Sequence, residues 1–326
     1  MNSNITSLSW AFAFFACVGL HCSPIAAQVD CTGQDSAAAI PKKLDVPCLP
    51  NAVRVHERVI SGGLPEGDVA FAELVRLGVR TVISVDGAKP DVATAEKHGL
   101  RYVHLPHGYD GISPARMQEL AKAVRDLKGP IYIHCHHGRH RSPAAAAVAC
   151  VGAGLIPAES AKDVLSVAGT SVKYRGLFLA ADGVKPFDAL QLDRLKCEFP
   201  AVAQLPVMAE AMVEVEHTHD RIKKLAASDW RTPADHPDLN AAHQALLLRE
   251  HFTELLRTDE AQAWGDEFLD MLRDSEQAST KLEDSLERWD GQSAVPASVR
   301  FAAKQISTEC KRCHERFRDV PVTERK

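Results

Sequence analysis

Upstream of Phe199-Pro200 the apolar residues fall in short, β-branched runs separated by amphipathic stretches. Downstream they recur at three- and four-residue spacing. The upstream pattern predicts a strand from Val53 to Ile60 that ends at Ser61-Gly62-Gly63-Leu64-Pro65. A helix from Glu66 to Leu77 follows and is stopped by Gly78. Next come a buried strand from Arg80 to Val85, a short helix from Asp91 to His98 and a strand from Tyr102 to Leu105. A helix opening at Ser113-Pro114 runs to Leu127, and Gly129-Pro130 separates it from the apolar run into His134-Cys135. Pro143 then sits in the first turn of an alanine-rich helix, where its missing N–H costs nothing. Strands alternating with helices predict an α/β domain over residues 51–185, a mostly parallel sheet with flanking helices, and a linker over 186–200.

The downstream pattern predicts helices only. Leu205, Met208, Met212, Val215, His219 and Ile222 make one stripe. A second helix spans Asp238 to Arg257. A third, Asp259 to Trp289, carries Trp264, Phe268, Met271, Ser275, Ala278, Leu282, Leu286 and Trp289 on one face. A fourth, Pro296 to Arg318, aligns Val299, Ala302, Ile306, Cys310, Cys313 and Phe317. Four amphipathic helices with short links predict an all-α four-helix bundle over 201–326.

Composition adds limits. The 326 residues carry 45% hydrophobic residues and a net charge of −5, with no polybasic tract, so nothing points to nucleic acid. Residues 9–20 form an apolar core too short to span a bilayer comfortably, and Pro24-Ile25-Ala26-Ala27 supplies small residues before Gln28. Residues 1–27 are therefore expected to be a signal peptide, directing export to the bacterial periplasm, with 28–50 as an N-terminal linker. The n-region from Met1 to Ser9 departs from that pattern in having no Lys or Arg. No later stretch is apolar enough for a membrane span. In an oxidising compartment Cys31 and Cys48 are a plausible disulfide pair that spacing alone cannot prove, and Cys150 on the alanine-rich helix reads as a packed thiol.

The chemistry concentrates in His134-Cys135-His136-His137-Gly138-Arg139-His140-Arg141-Ser142. A loop between a strand end and a helix N-terminus turns backbone N–H groups inward, and with the helix dipole these make an anion seat. A thiolate is favoured at its mouth. Arg141 can grip two oxygens of a phosphate, and Ser142 can donate to the departing thiolate. His136, His137, Gly138, Arg139 and His140 form the body of the loop. The crowd of basic groups either favours a highly anionic substrate or is a solvated loop edge. As metal ligands, four histidines on one tight loop would mostly diverge from a common centre.

This stretch resembles the signature loop of the cysteine-dependent protein tyrosine and dual-specificity phosphatases. Asp110-Gly111-Ile112-Ser113 is similar to the general-acid loop of the compact members, and Ser61-Gly62-Gly63-Leu64-Pro65 resembles a Ser-Gly-x-Pro turn found there, one residue longer. The resemblance implies Cys135 as nucleophile, Arg141 as phosphate clamp and Asp110 as general acid and then base, with His107 in reserve. Lys173, Tyr174 and Arg175 fall where a later loop can reach the site.

The last helix carries Cys310-Lys311-Arg312-Cys313-His314. Cysteines at i and i+3 share a helix face and can bond both vinyl groups of a haem, while the adjacent histidine reaches the iron. With Glu315-Arg316-Phe317-Arg318 after it, this part resembles the cytochrome c-prime and c-556 group. The resemblance implies one covalent haem c, attached at Cys310 and Cys313 with His314 as proximal ligand. The sixth position is open or filled from the first helix by Met212, by Met208 one turn away, or by His219.

The expected protein is thus an exported phosphoester hydrolase coupled to a haem domain for redox or gas sensing, with a phosphorylated substrate and a redox partner protein. The alternatives are an electron-transfer or gas-binding cytochrome with a non-catalytic anion-binding domain, and a cysteine-persulfide sulfurtransferase.

Overall fold

The structure, a computed structural model, describes residues 41–234 and 236–325, all within one compact unit. The expected leader and Cys31 lie outside the described residues. No helix among those described is long and apolar enough to cross a membrane.

The chain opens with β1 (Lys42–Lys43), β2 (Val53–His56), β3 (Val59–Gly62), α1 (Gly67–Arg76), β4 (Thr81–Ser84), α2 (Val92–Lys97), β5 (Arg101–His104), α3 (Pro114–Asp126), β6 (Ile131–His134) and α4 (Arg141–Gly152). Helices α5 (Ala161–Ala168), α6 (Arg175–Gly183) and α7 (Ala189–Arg194) follow. The strand order is β1-β2-β3-β6-β4-β5. Strands β3, β6, β4 and β5 are parallel, and β1 and β2 extend the β3 edge antiparallel, so the sheet is mixed.

The expected single strand from Val53 to Ile60 is a hairpin, with His56 opposite Val59. Glu57-Arg58 interrupts the apolar alternation and turns the chain. Arg58 then donates from Nε to the Val124 carbonyl at 2.8 Å and from Nη2 to the Leu127 carbonyl. These are carbonyls a helix C-terminus leaves unpaired, and they favour a cation. Strand β1 starts the sheet inside the expected N-terminal linker, and α7 occupies the expected 186–200 linker, capped by Asp188 on the Gln191 N–H at 3.1 Å.

Helix α4 lies at the centre of the α/β part. From Ser142 to Gly152 every residue is buried, and the alanine run lets α3, α5 and α6 approach it closely. A Cβ on Gly152 would come within 2.8 Å of both Ala121 and Phe187. Cys150 is wholly enclosed here and burial pushes its thiol up, the behaviour of a packed thiol.

The C-terminal region is helical: α8 (Val207–Ala227), α9 (Ala241–Leu256), the short α10 (Asp259–Gln262), α11 (Asp266–Glu287) and α12 (Ala297–Cys313), continued by a π-helical turn from His314 to Arg318. The expected third helix is broken, because Gly265 at φ 86° separates α10 from α11 and leaves Trp264 in the break. Thr218 meets His251 and the Met208 N–H meets Glu260; Arg249 meets Glu283 and Thr253 meets Glu276; Arg312 meets Asp274 and Arg316 meets Glu267. In each pair of contacts one number rises as the other falls. Neighbouring long helices are therefore antiparallel, α8 to α9, α9 to α11 and α11 to α12, and all four share one apolar core.

The two parts touch at the carboxyl edge of the sheet. The His104 N–H donates to the Pro200 carbonyl at 2.8 Å and the Ala203 N–H to His104 Nδ1 at 3.1 Å. A Cβ on Gly87, in the turn after β4, would lie 3.2 Å from Val213 of α8.

Candidate active site

Cys135 directly follows β6 and is only 3% exposed. Its Sγ lies 3.4 Å from Ser142 Oγ, which itself donates to the Gly62 carbonyl at 2.9 Å. Ser142 therefore holds the start of α4 against the end of β3, and its single proton must turn from Gly62 before it can serve the sulfur.

The loop between them is clamped from three directions. Asn51 Nδ2 donates to the Gly138 and Ala168 carbonyls, both at 2.8 Å, and Thr170 Oγ1 to the Arg139 carbonyl at 2.6 Å. The Leu64 N–H donates to the His136 carbonyl at 3.0 Å. Gly138 stands at φ 70°, and a Cβ there would fall on Gly63 N, 2.5 Å from Gly62 C and 2.9 Å from the Pro50 carbonyl oxygen. Only glycine lets the loop pass this close to the Gly62-Gly63 turn. Beneath it, His134 Nε2 meets Tyr102 Oη at 2.6 Å, and burial lowers His134 to about 4, so the ring is a neutral support.

Arg141 opens α4. Burial opposes its charge, but Tyr109, Cys135, Asp86 and Glu216 outweigh that and raise its pKa further. Its guanidinium lies 4.7 Å from the Tyr109 ring centroid, and its Nε is buried with no hydrogen-bond partner. A buried, charged donor without an acceptor is what a bidentate oxyanion would satisfy.

The acid loop lies against this clamp through Tyr109, whose ring is also 4.6 Å from Tyr174; Tyr174 in turn is 4.6 Å from His140. Tyr174 thus reaches the mouth, as the later loop was expected to. Asp110 is half-buried and its Oδ2 pairs with Arg325 at 2.8 Å. The Asp110 carbonyl accepts from the Val322 N–H at 3.2 Å, and Glu324 pairs with Arg175 through two bonds. The segment after the π-helical turn thereby straps the acid loop in place. Gly111, at φ 139°, and Gly176 meet face to face, since a Cβ on Gly176 would overlap the Asp110 carbonyl. His107 Nδ1 bonds the Gly108 carbonyl at 2.9 Å and burial lowers its pKa to about 4, so it has no proton to give near neutrality. That removes it as the reserve acid.

Sequence reasoning missed the second guanidinium at the mouth. Arg318, from the π-helical turn, sits 4.3 Å from the Tyr109 centroid. It also missed Arg325, Asn51 and Thr170. These residues are far away in sequence, and only the strong loop motif itself could have suggested that something must clamp it.

In the helical part Cys313 is buried and Cys310 half-buried, both on one face of α12. Phe317, Phe268 and Trp264 cluster edge-to-face and stacked next to them, with centroids 5.1 to 5.9 Å apart. Met208 and Met212 line the same core margin. This donor set and apolar wall fit a covalently held haem.

No family model matches the sequence, and no curated protein matches it. Solved structures do. TpbA of P. aeruginosa is 23% identical, with 48% of this chain and 95% of that chain covered and a TM-score of 0.40. The core catalytic domain of the PP-IP phosphatase SIW14 of S. cerevisiae is 14% identical, covering 46% and 93%, at 0.36. PTPMT1, solved with PI(5)P, is 17% identical, covering 39% and 97%, at 0.30.

Proposed function

We propose that the chain is an exported cysteine-dependent phosphatase, of dual-specificity type, coupled to a haem c domain. The observation that carries the hydrolase reading is the buried, unpaired Nε of Arg141 beside the buried Cys135, at the mouth of a loop whose shape is fixed by Gly138. Arg141 binds two phosphate oxygens, and the Cys135 thiolate attacks phosphorus from the opposite side to the leaving oxygen. The P–O bond breaks, and Asp110 gives its proton to the departing alkoxide. Asp110 then takes a proton from water as the water attacks the cysteinyl-phosphate. Phosphate leaves and the thiolate is restored. Ser142, released from Gly62, donates to that sulfur in the second step. The backbone N–H groups of His136, His137, Gly138, Arg139 and His140 hold the third phosphoryl oxygen.

The C-terminal helices are read as a four-helix bundle with one haem c joined to Cys310 and Cys313 and ligated by His314. Haem bound there would supply an iron that exchanges an electron or takes a diatomic gas. Helix register favours Met212 as distal ligand. His219 of α8 meets Ser307 of α12 at 3.3 Å. The two helices are antiparallel by the chain of pairings above, so stepping from Ser307 to His314 matches stepping from His219 back to Met212. Met208, one turn further, is the second candidate. Coupling is supported by Arg318, one helical turn past His314 and stacked on the tyrosine that carries Arg141.

The deciding experiment measures phosphate release from an aryl phosphate by haem-loaded protein and by Cys135→Ser. Release that the variant loses supports the hydrolase. No release from either protein, with the haem intact, rejects it and leaves the electron-transfer and persulfide chemistries. Unequal rates for ferric and ferrous protein are expected from the coupling, and equal rates refute it.

A further inference from the structure

His136, His137 and Glu216 are brought together from two parts of the chain. The first two belong to the loop after Cys135, the third to α8. One ligand atom from each lies within 4.8 Å of the others, and His136 Nδ1 is 3.7 Å from Glu216 Oε1. The two imidazole rings are 4.3 Å apart, centroid to centroid. Divergence of these histidines therefore holds for His134, at the end of β6 against Tyr102, and His140, against Tyr174, but not for this pair.

We propose that His136, His137 and Glu216 form a binding site for a divalent transition cation of the zinc type. Two imidazole nitrogens and one carboxylate oxygen are a donor set such cations prefer over magnesium or calcium, and they leave a fourth position for water. Asp220 stands one turn beyond Glu216 on the same helix, held to Lys223 at 2.8 Å, and adds negative potential without being needed as a ligand. The ligand atoms sit wider than the edge of a coordination tetrahedron, so binding would draw α8 and the loop together. The cation would join the residue following the nucleophile to the first long helix of the C-terminal region, adding positive charge where an anionic substrate enters. This proposal stands independently of the phosphatase reading.

The test is calorimetric titration of Zn²⁺ into tag-free, haem-loaded, full-length protein, with melting curves taken alongside. One saturable site is expected, with affinity at least ~10-fold weaker in each of His137→Ala and Glu216→Gln, as loss of a ligand entails. Zn²⁺ should raise the melting temperature of the parent and of Cys135→Ser equally, and of the two ligand variants much less. Melting without zinc establishes that the variants are folded. Absence of a saturable site, affinity undiminished from the parent in either ligand variant, or loss of binding in Cys135→Ser would each overturn the proposal; the last would place the ion on the nucleophile.

Discussion

Replacing Gly138 by alanine tests the geometry of the loop more sharply than any change to a reacting group. The φ of 70° costs an L-residue about 1–2 kcal/mol. The new Cβ would also fall on Gly63 N and within 2.5 Å of Gly62 C, both backbone atoms that no rotamer change can move away. The loop must retreat by roughly 1 Å to reach ordinary contact, and the Asn51 bond to the Gly138 carbonyl is lost with about 0.5–1.5 kcal/mol. The sum, about 1.5–3.5 kcal/mol, corresponds to a fall of ~3–14 °C in melting temperature. A displacement of that size at the reacting centre also lowers kcat by ~10²-fold. Gly154→Ala is the matched control, because Gly154 has φ 71° and nothing within 4 Å of its added Cβ. It should show the dihedral cost alone and keep its kcat. Equal melting temperatures for the two variants, or an unaltered kcat in Gly138→Ala, would refute the close-approach argument.

Further outcomes are expected. Arg325→Ala removes the ion pair that ties Asp110 to the C-terminal strap, so hydrogen exchange should quicken across residues 108–113 with little change at 134–142; uniform exchange would refute the strap. Tyr109→Leu removes the ring from two guanidiniums, each contact worth about 0.5–2 kcal/mol, and should raise KM for aryl phosphate about threefold to tenfold. His107 and His134 are lowered to about 4 against an ordinary 6.5, so the unfolded chain binds more protons between those values. Stability from these two is full above pH 6.5 and lost as pH falls toward 4; His134→Gln should flatten the melting temperature against pH in that window, and an unchanged slope would count against its neutral role. Cys310→Ala and Cys313→Ala should each shift the pyridine haemochrome band as one thioether is lost, and an unshifted band would remove the covalent haem.

The nucleophile loop was legible because its residues are contiguous: strand, loop and helix N-terminus are encoded within one short stretch around Cys135, Gly138 and Arg141. The caps at Ser113 and Asp91 were equally local, whereas the helix expected from Asp238 opens at Ala241 with Asn240 as its cap. The hairpin at Glu57-Arg58 was not, because a two-residue break in the alternation is too short to mark a turn and only the docking of Arg58 on the end of α3 decides that the chain reverses there. Helices α5 and α6 escaped notice because eight and nine residues give too little periodicity. The partners of the site, Asn51, Thr170, Arg318 and Arg325, are held by contacts of long sequence separation, which no local pattern carries. The approach of the two loop histidines to a third donor was hidden for a related reason. Their convergence depends on Glu216, which belongs to a helix that begins after the α/β part has ended.

Helix α4 has a consequence for how such a protein can change over generations. From Ser142 to Gly152 it offers no surface where a substitution is free, and its alanines leave no room for an added methylene. Variation in what the protein acts on must therefore enter elsewhere, through the outward side chain of Arg139 and through Tyr174. The reacting apparatus is frozen by its neighbours, while the rim, drawn partly from a different stretch of the chain, stays open to drift.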